Sequence, residues 1–331
     1  MRAGFPRWIV TVTLVIGAGL ALAPVAFKMF ERAPLGGDMI KAFEPYMTEE
    51  KLSTFNGYMD TIDRAVTEAG DLREQVVAQG DIDEEQYDTT YIGVTKLTTD
   101  WAAIDADMGD LLTRMDENMD NYQDMKALPP FWMFPWFFVL PGLFIAALSV
   151  AALWRARRGT RPKGVLVALL VMGLGVVAAP AIFQMFSRAP QGGQMIDEFR
   201  PMMTRARVQA VQGYFITLGA GEGQLRIGAE QAFVDGGGDM ADYPALQEFS
   251  SKWPTIVGDF NPMIATMSDN VDNFQAVDAM PPFPLFPWFF VIPGLLVAGL
   301  AGLALRRSGA LTDDATTTSP TPSPEAETAT P

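Results

Sequence analysis

The chain has 331 residues, room for two ordinary domains, yet 49% of them are hydrophobic and only 19% charged, so the apolar excess must be gathered into segments. With 39 acids against 24 bases the formal charge is −15, which disfavours nucleic acid as a partner. Cysteine and histidine are both absent, which excludes disulfides, thiolate metal sites, cysteine nucleophiles and lipid attachment through cysteine, and removes the commonest general base and metal ligand.

In chain order, residues 1–7 form a short N-terminal segment and 8–30 a first membrane span. Residues 31–130 are expected to form a first helical outer domain, and 131–154 a second span. A basic loop occupies 155–163, a third span 164–186, and a second helical outer domain 187–282. A fourth span covers 283–305, and a Ser/Thr/Pro-rich tail over 306–331 is too poor in apolar residues to form a core and is expected to be disordered. The apolar cores of the spans contain no Asp, Glu, Lys or Arg. At about 1.5 Å per residue, roughly 20 residues cross the roughly 30 Å hydrocarbon layer. Ala21-Leu22-Ala23 resembles a signal-peptide cleavage site, but Pro24 follows it directly and the span has a counterpart inside the chain, so it reads as an uncleaved helix.

Basic residues set the direction. Arg2 and Arg7, the loop residues Arg155, Arg157, Arg158, Arg161 and Lys163, and Arg306 and Arg307 all fall on one side, against Lys28, Arg32 and Arg188 near the other. The positive-inside rule puts both termini and the loop in the cytoplasm, with the loop also able to hold anionic lipid. The long connections then lie outside; they carry 23 acids with 8 bases and 12 acids with 6 bases.

Internal repetition is the strongest signal. Residues 27–62 align without gaps to 183–218 at an offset of 156, with 17 identities in 36 positions, led by Phe-x-Met-Phe-x-Arg-Ala-Pro-x-Gly-Gly-x-Met-Ile. Residues 118–142 align to 270–294 at an offset of 152, with 16 identities in 25. Their shared pattern is Asn-x-Asp-Asn-[Tyr/Phe]-Gln, then Pro-Pro-Phe-x-x-Phe-Pro-Trp-Phe-Phe-Val-x-Pro-Gly. The expected fold is an all-α integral membrane protein with four transmembrane helices. Its two tandem-duplicated halves each run helix, helical extracytoplasmic domain, helix, as parallel repeats about a pseudo-two-fold along the membrane normal.

Within the outer domains, Leu52, Phe55, Met59, Ile62 and Val66 keep a helical period after an N-cap at Thr48. A second helix carries Trp101, Ile104, Met108, Leu111, Met115, Met119 and Tyr122; the other copy answers with Trp253, Ile256, Phe260, Met263, Met267, Val271 and Phe274. Such stripes pack helix on helix, although methionine-rich faces also suit adaptable binding surfaces. Surface loops are expected near Asp81–Asp88 and at Gly236–Gly238. Closely spaced glycines, Gly17 with Gly19 and Gly173 with Gly175, permit close packing of the spans.

Chemistry is sparse. The stretch Asp105–Asp110 resembles the start of a calcium loop but has Asp110 where that loop needs glycine, and it reads as a solvated helix face. No nucleophile elbow, P-loop or dinucleotide fingerprint occurs in a suitable context, so no enzyme activity, cofactor, metal site or catalytic set is expected. Two repeated features are the candidate contacts: Arg32 and Arg188, and the motifs Asn118-x-Asp120-Asn121 and Asn270-x-Asp272-Asn273. Each arginine is expected to pair with the aspartate of one motif and brace the outer domain. Pro141 and Pro293 are positioned to kink spans two and four, below an aromatic anchor.

These features point to a non-enzymatic, multi-pass plasma-membrane protein of a bacterial envelope, acting as an interaction, scaffold or sensing subunit through its outer domains. Its expected partners are membrane lipids and other membrane or envelope proteins, with self-association open. An accessory subunit of a membrane transport complex is the alternative.

Overall fold

A computed structural model describes residues 7–316. Arg2 and the tail beyond Thr316 lie outside the described residues. In chain order the helices are α1 (Arg7–Ala26), α2 (Met29–Phe43), α3 (Glu49–Ala78), α4 (Glu84–Thr90), α5 (Ile92–Glu117) and α6 (Met119–Lys126). There follow α7 (Phe134–Arg157), α8 (Lys163–Ile182), α9 (Met185–Phe199), α10 (Arg205–Gln224), α11 (Glu230–Asp235), α12 (Pro244–Asp278) and α13 (Phe286–Thr316). No strand occurs among the described residues. The chain divides into two compact units, one formed by Met1–Phe30, Met133–Ala189 and Pro284–Pro331, the other by Glu31–Trp132 and Pro190–Phe283.

The first unit holds four helices long and apolar enough to cross a membrane: α1, Phe131–Arg157 around α7, α8, and the stretch Pro244–Arg307, whose apolar portion lies in α13. Only about a third of each is buried, and Val15, Leu22 and Ile182 are exposed, so the outward faces of these helices are apolar. Helix α1 packs along α7, and α8 along α13. Both crossings are set by glycine. A Cβ at Gly17 would stand 2.8 Å from the Ala146 nitrogen, and one at Gly142 would stand 2.5 Å from the Ala21 nitrogen. Gly173 and Gly294 make the second crossing in the same way. Only residues without side chains let the backbones approach this closely. Gly19 and Gly175 have open space around them and play no part in it. A buried hydrogen bond between the Thr13 and Ser149 hydroxyls, 3.0 Å long, ties the first crossing. The aligned residues at the second are Leu169 and Ala301, both buried and apolar.

The spans end sooner than the sequence suggests. Helix α1 stops at Ala26 and α8 at Ile182, because Lys28 and Gln184, aligned residues in the two copies, both adopt a left-handed φ of 54°. That conformation breaks the helical path before α2 and α9 begin. At the other end of the chain α13 continues to Thr316, where disorder was expected from 306. Arg306 and Arg307 are good helix formers and prolong the span by propagation.

In the second unit the two long connections do not form separate domains. Helix α3 packs on α5 and α12, and α10 packs on α5 and α12, so the hairpins of the two halves close one four-helix core. The apolar stripes require this, since a lone hairpin would leave the outer flank of each stripe in water. Phe55 on α3 and Phe260 on α12, both fully buried, stack with ring centres 4.4 Å apart. Thr48 caps α3 by accepting from the Lys51 amide at 3.2 Å, and Thr204 caps α10 from the Arg207 amide at 3.2 Å. Helix α12 starts at Pro244 without a capping side chain of its own; Glu68 of α3 accepts from the Ala245 and Leu246 amides at 2.8 and 3.0 Å instead. The acidic stretch expected as a loop folds in part into α4, opened by a capping box between Asp83 and Gln86. Its counterpart differs: α10 gives way to a π-turn over Leu225–Ala229, and a glycine turn at Gly237, with φ of 91°, follows α11.

Candidate functional site

The repeated Asn-x-Asp-Asn motifs sit on the second unit's descending helices, and asparagine rather than aspartate does the structural work. Asn118 and Asn270 are buried; each side-chain amide donates to the carbonyl four residues earlier, Arg114 and Thr266 respectively, at 2.9 Å. Each side-chain carbonyl then accepts from the next motif residue, Asn121 or Asn273, at 3.0 Å. Both motifs thus close on themselves, which satisfies polar groups that burial would otherwise leave stranded. Asn118 also donates to the Glu198 carboxylate on α9, and helix α5 breaks at this residue, whereas α12 runs on through Asn270.

Arg32 does not form the brace expected of it. Arg32 donates to the Ala279 carbonyl at 2.8 Å. Asp272 is held by Arg205 at 2.8 Å. A backbone carbonyl at a helix C-terminus is a ready acceptor for a guanidinium, and Ala279 caps α12. Asp272 meanwhile lies within reach of the first turn of α10. Arg188 closes the first unit's stretch of α9, next to Ala189. The basic loop is surface-exposed: Arg155 and Arg157 end α7, Arg158 stacks 3.6 Å from the Trp154 ring, and Lys163 opens α8 after Arg161.

Two further clusters were not anticipated. Asp259 on α12 receives Lys51 at 2.8 Å and the Tyr58 hydroxyl at 2.8 Å, both from α3. Asp107 on α5 receives Arg207 and the Tyr214 hydroxyl, both from α10. Lys51 aligns with Arg207, Tyr58 with Tyr214 and Asp107 with Asp259, so the same three-group cluster occurs twice, each time joining one half of the chain to the other. The Arg207 hydrogen bond, helped by Tyr214, holds the Asp107 carboxyl below the usual carboxylate range. Lys51 and then Tyr58 do the same for Asp259. Asp107 is therefore an inter-helix tie rather than part of a solvated face. The signal in the sequence was the Lys/Arg–Tyr spacing shared by the aligned blocks, with one aspartate per copy on the other helix.

Within the same unit lies an apolar cavity of about 70 Å³. Met39, Ile40 and Phe43 of α2 face it from one half, and Met195, Ile196 and Phe199 of α9 from the other. Met47 and Met203 follow, then Leu111 and Met115 of α5 opposite Met263 and Met267 of α12, and finally Tyr122 and Phe274. Every lining residue has its aligned partner in the lining. The Tyr122 hydroxyl donates to the Ile40 carbonyl at 2.6 Å, and burial raises its pKa to about 12. It is consequently neutral at physiological pH and already satisfied. A space of this size exceeds the roughly 10–15 Å³ a water needs, but its apolar walls offer water no partners and so favour apolar contents. It can accept an apolar group and can do no acid–base or metal chemistry. No group of three or more Asp/Glu residues able to hold a metal ion occurs among the described residues.

Compared with known proteins, the chain matches no family model and no curated sequence.

Proposed function

We propose that this chain is a four-pass, non-enzymatic plasma-membrane protein of a bacterial envelope that senses or binds through a single outer helical bundle. Both termini and the 155–163 loop lie in the cytoplasm, and the two halves descend from duplication of a two-span unit that once paired with itself about an axis along the membrane normal. The observation that carries this reading is the repeated Asp–cation–Tyr cluster. Each copy takes its aspartate from one half and its cation and tyrosine from the other, which is what an isologous dimer leaves behind after fusion. The basic loop, the acidic outer connections and the lipid-facing apolar surfaces support the orientation.

Between scaffold and sensor, the two-fold-lined cavity favours sensing: an outer module that had only to hold position would fill its core. Membrane lipids and envelope proteins are the partners this surface suits.

The cysteine-free chain makes the test clean. Thiol labelling of intact cells should reach Ala106→Cys and Ser251→Cys but reach Thr160→Cys only after permeabilisation; the reverse pattern would overturn the topology. Met108 and Met263 are buried, so photo-cross-linkers for partner capture belong at exposed Ile216 and Ile92. Capture of envelope proteins there supports the interaction reading; capture of a transport ATPase or permease moves the protein to a transport complex.

A further inference from the structure

We infer that the methionine-lined cavity of the outer bundle binds a single linear alkyl chain. This deepens the sensing reading and rests on it. Three features select that ligand. The wall offers no unpaired polar atom, because the only hydroxyl, on Tyr122, is spent on the Ile40 carbonyl, so a ligand group with donors or acceptors would be desolvated without return. The opposite walls carry like residues at aligned positions, which suits a featureless polymethylene segment and gives an asymmetric ring nothing to read. Seven of the lining residues are methionine, whose three rotatable bonds let the walls part around a chain thicker than the resting void. Any polar headgroup stays outside the apolar part. The chain could come from a free fatty acid or from the acyl tail of a membrane lipid; the chemistry recognised is the same.

The test uses the full-length protein in lipid nanodiscs with two probes: a C16 fatty acid bearing a mid-chain diazirine, and a phospholipid carrying that acyl chain. After photolysis and peptide mass spectrometry, label is expected on the peptides containing Met115 and Met267. Excess unlabelled palmitate should displace the first probe, and which probe labels names the source. Filling the void with Met115→Trp or Met267→Trp should cut labelling by about tenfold while leaving label on the spans unchanged. Should a filled variant fail to fold, Met267→Ala supplies the converse, increased labelling by a chain carrying a bulkier mid-chain group. Label confined to the spans, or label in the bundle that neither the filled nor the enlarged cavity alters, overturns the inference. Partner capture from Ile216 would survive that failure, so the alkyl site and the broader reading fall separately.

Discussion

Replacing Gly142 with alanine should separate α1 from α7, and the structure sets the size of the effect. The new Cβ would meet the Ala21 nitrogen at 2.5 Å, the Gly17 carbonyl oxygen at 2.7 Å and the Ala21 Cα at 2.9 Å, all backbone atoms that no rotamer change can move aside. An ordinary contact is about 3.5–4.0 Å, so the helices must part by roughly 1 Å. Such overpacking costs about 1–3 kcal/mol. The parting also stretches the 3.0 Å Thr13–Ser149 hydrogen bond, worth roughly 0.6 kcal/mol between membrane helices. Alanine's better helix propensity returns about 1 kcal/mol. The net loss is about 0.6–2.6 kcal/mol. Gly19→Ala is the control on the same helix: nothing lies within 4 Å of its Cβ, so only the propensity gain of up to about 1 kcal/mol remains. Unfolding of the purified protein by a denaturing detergent, followed by tryptophan fluorescence, should place the two variants on opposite sides of wild type. Gly173→Ala and Gly175→Ala should repeat the contrast at the second crossing. Equal stability for Gly142→Ala and Gly19→Ala would refute the close-packed crossing.

Four other outcomes follow from the contacts. Exchanging the first crossing's polar pair for the second's, Thr13→Leu with Ser149→Ala, should cost less than the sum of the single changes in the same detergent assay, because a lone hydroxyl loses its cross-helix partner. Asp259→Asn should destabilise the second unit's helical bundle by about 1 kcal/mol at neutral pH; since the folded carboxyls of Asp107 and Asp259 titrate below their usual range, the stabilisation they give is present above about pH 4 and disappears as pH falls through the folded values, so circular-dichroism melts of wild type and variant should converge in acid. Glu230 behaves oppositely: burial, with Glu222 nearby, raises its pKa and one of its oxygens has no hydrogen-bond partner, so its stability penalty grows as pH rises through the folded value, and Glu230→Gln should raise the melting temperature at pH 7 but not below about pH 4. Glu68→Ala removes the side-chain acceptor that holds the first amides of α12 and should cost about 0.5–2 kcal/mol, read as faster amide exchange at Ala245 and Leu246.

The span segments, the helix period at Leu52–Val66 and Trp101–Tyr122, and the Thr48 cap were legible because each depends on neighbours a few residues away. The break at Lys28 and Gln184 was not: a left-handed non-glycine residue has no local signature, and only its recurrence at aligned positions marks it. The Arg32 brace failed for a related reason. Opposite charges suggested a carboxylate partner, but Arg32 donates to the Ala279 carbonyl at the end of α12, and Asp272 is matched with Arg205. Charge pattern alone cannot rank a helix terminus against a side chain.

The largest difference, one helical bundle where two outer domains were expected, has a physical cause visible in retrospect. Periodicity shows that a helix has an apolar stripe but not which helix covers it, and tandem copies offer two solutions of equal pattern: each hairpin closing on itself, or both closing on each other. Charged positions at the seam distinguish them. Asp107 lies on the same hairpin as Lys51 and Tyr58, and Asp259 on the same hairpin as Arg207 and Tyr214, yet both aspartates are taken by the opposite copy. With those links fixed, aligned positions on the bundle surface are free to diverge. Asp60 and Asp63 on α3 answer to Ile216 and Gly219 on α10, and Asp105 on α5 to Val257 on α12. Asp63 accepts from the Trp101 indole at 2.8 Å, while at the aligned place Trp253 packs on Gly219. Burial, with Asp63 and Asp60 close by, raises the Asp105 carboxyl, a cost that the apolar counterpart avoids. The aligned positions therefore match where the halves touch and diverge where they face outward, with Asp60 and Asp63 exposed on α3 where α10 exposes Ile216.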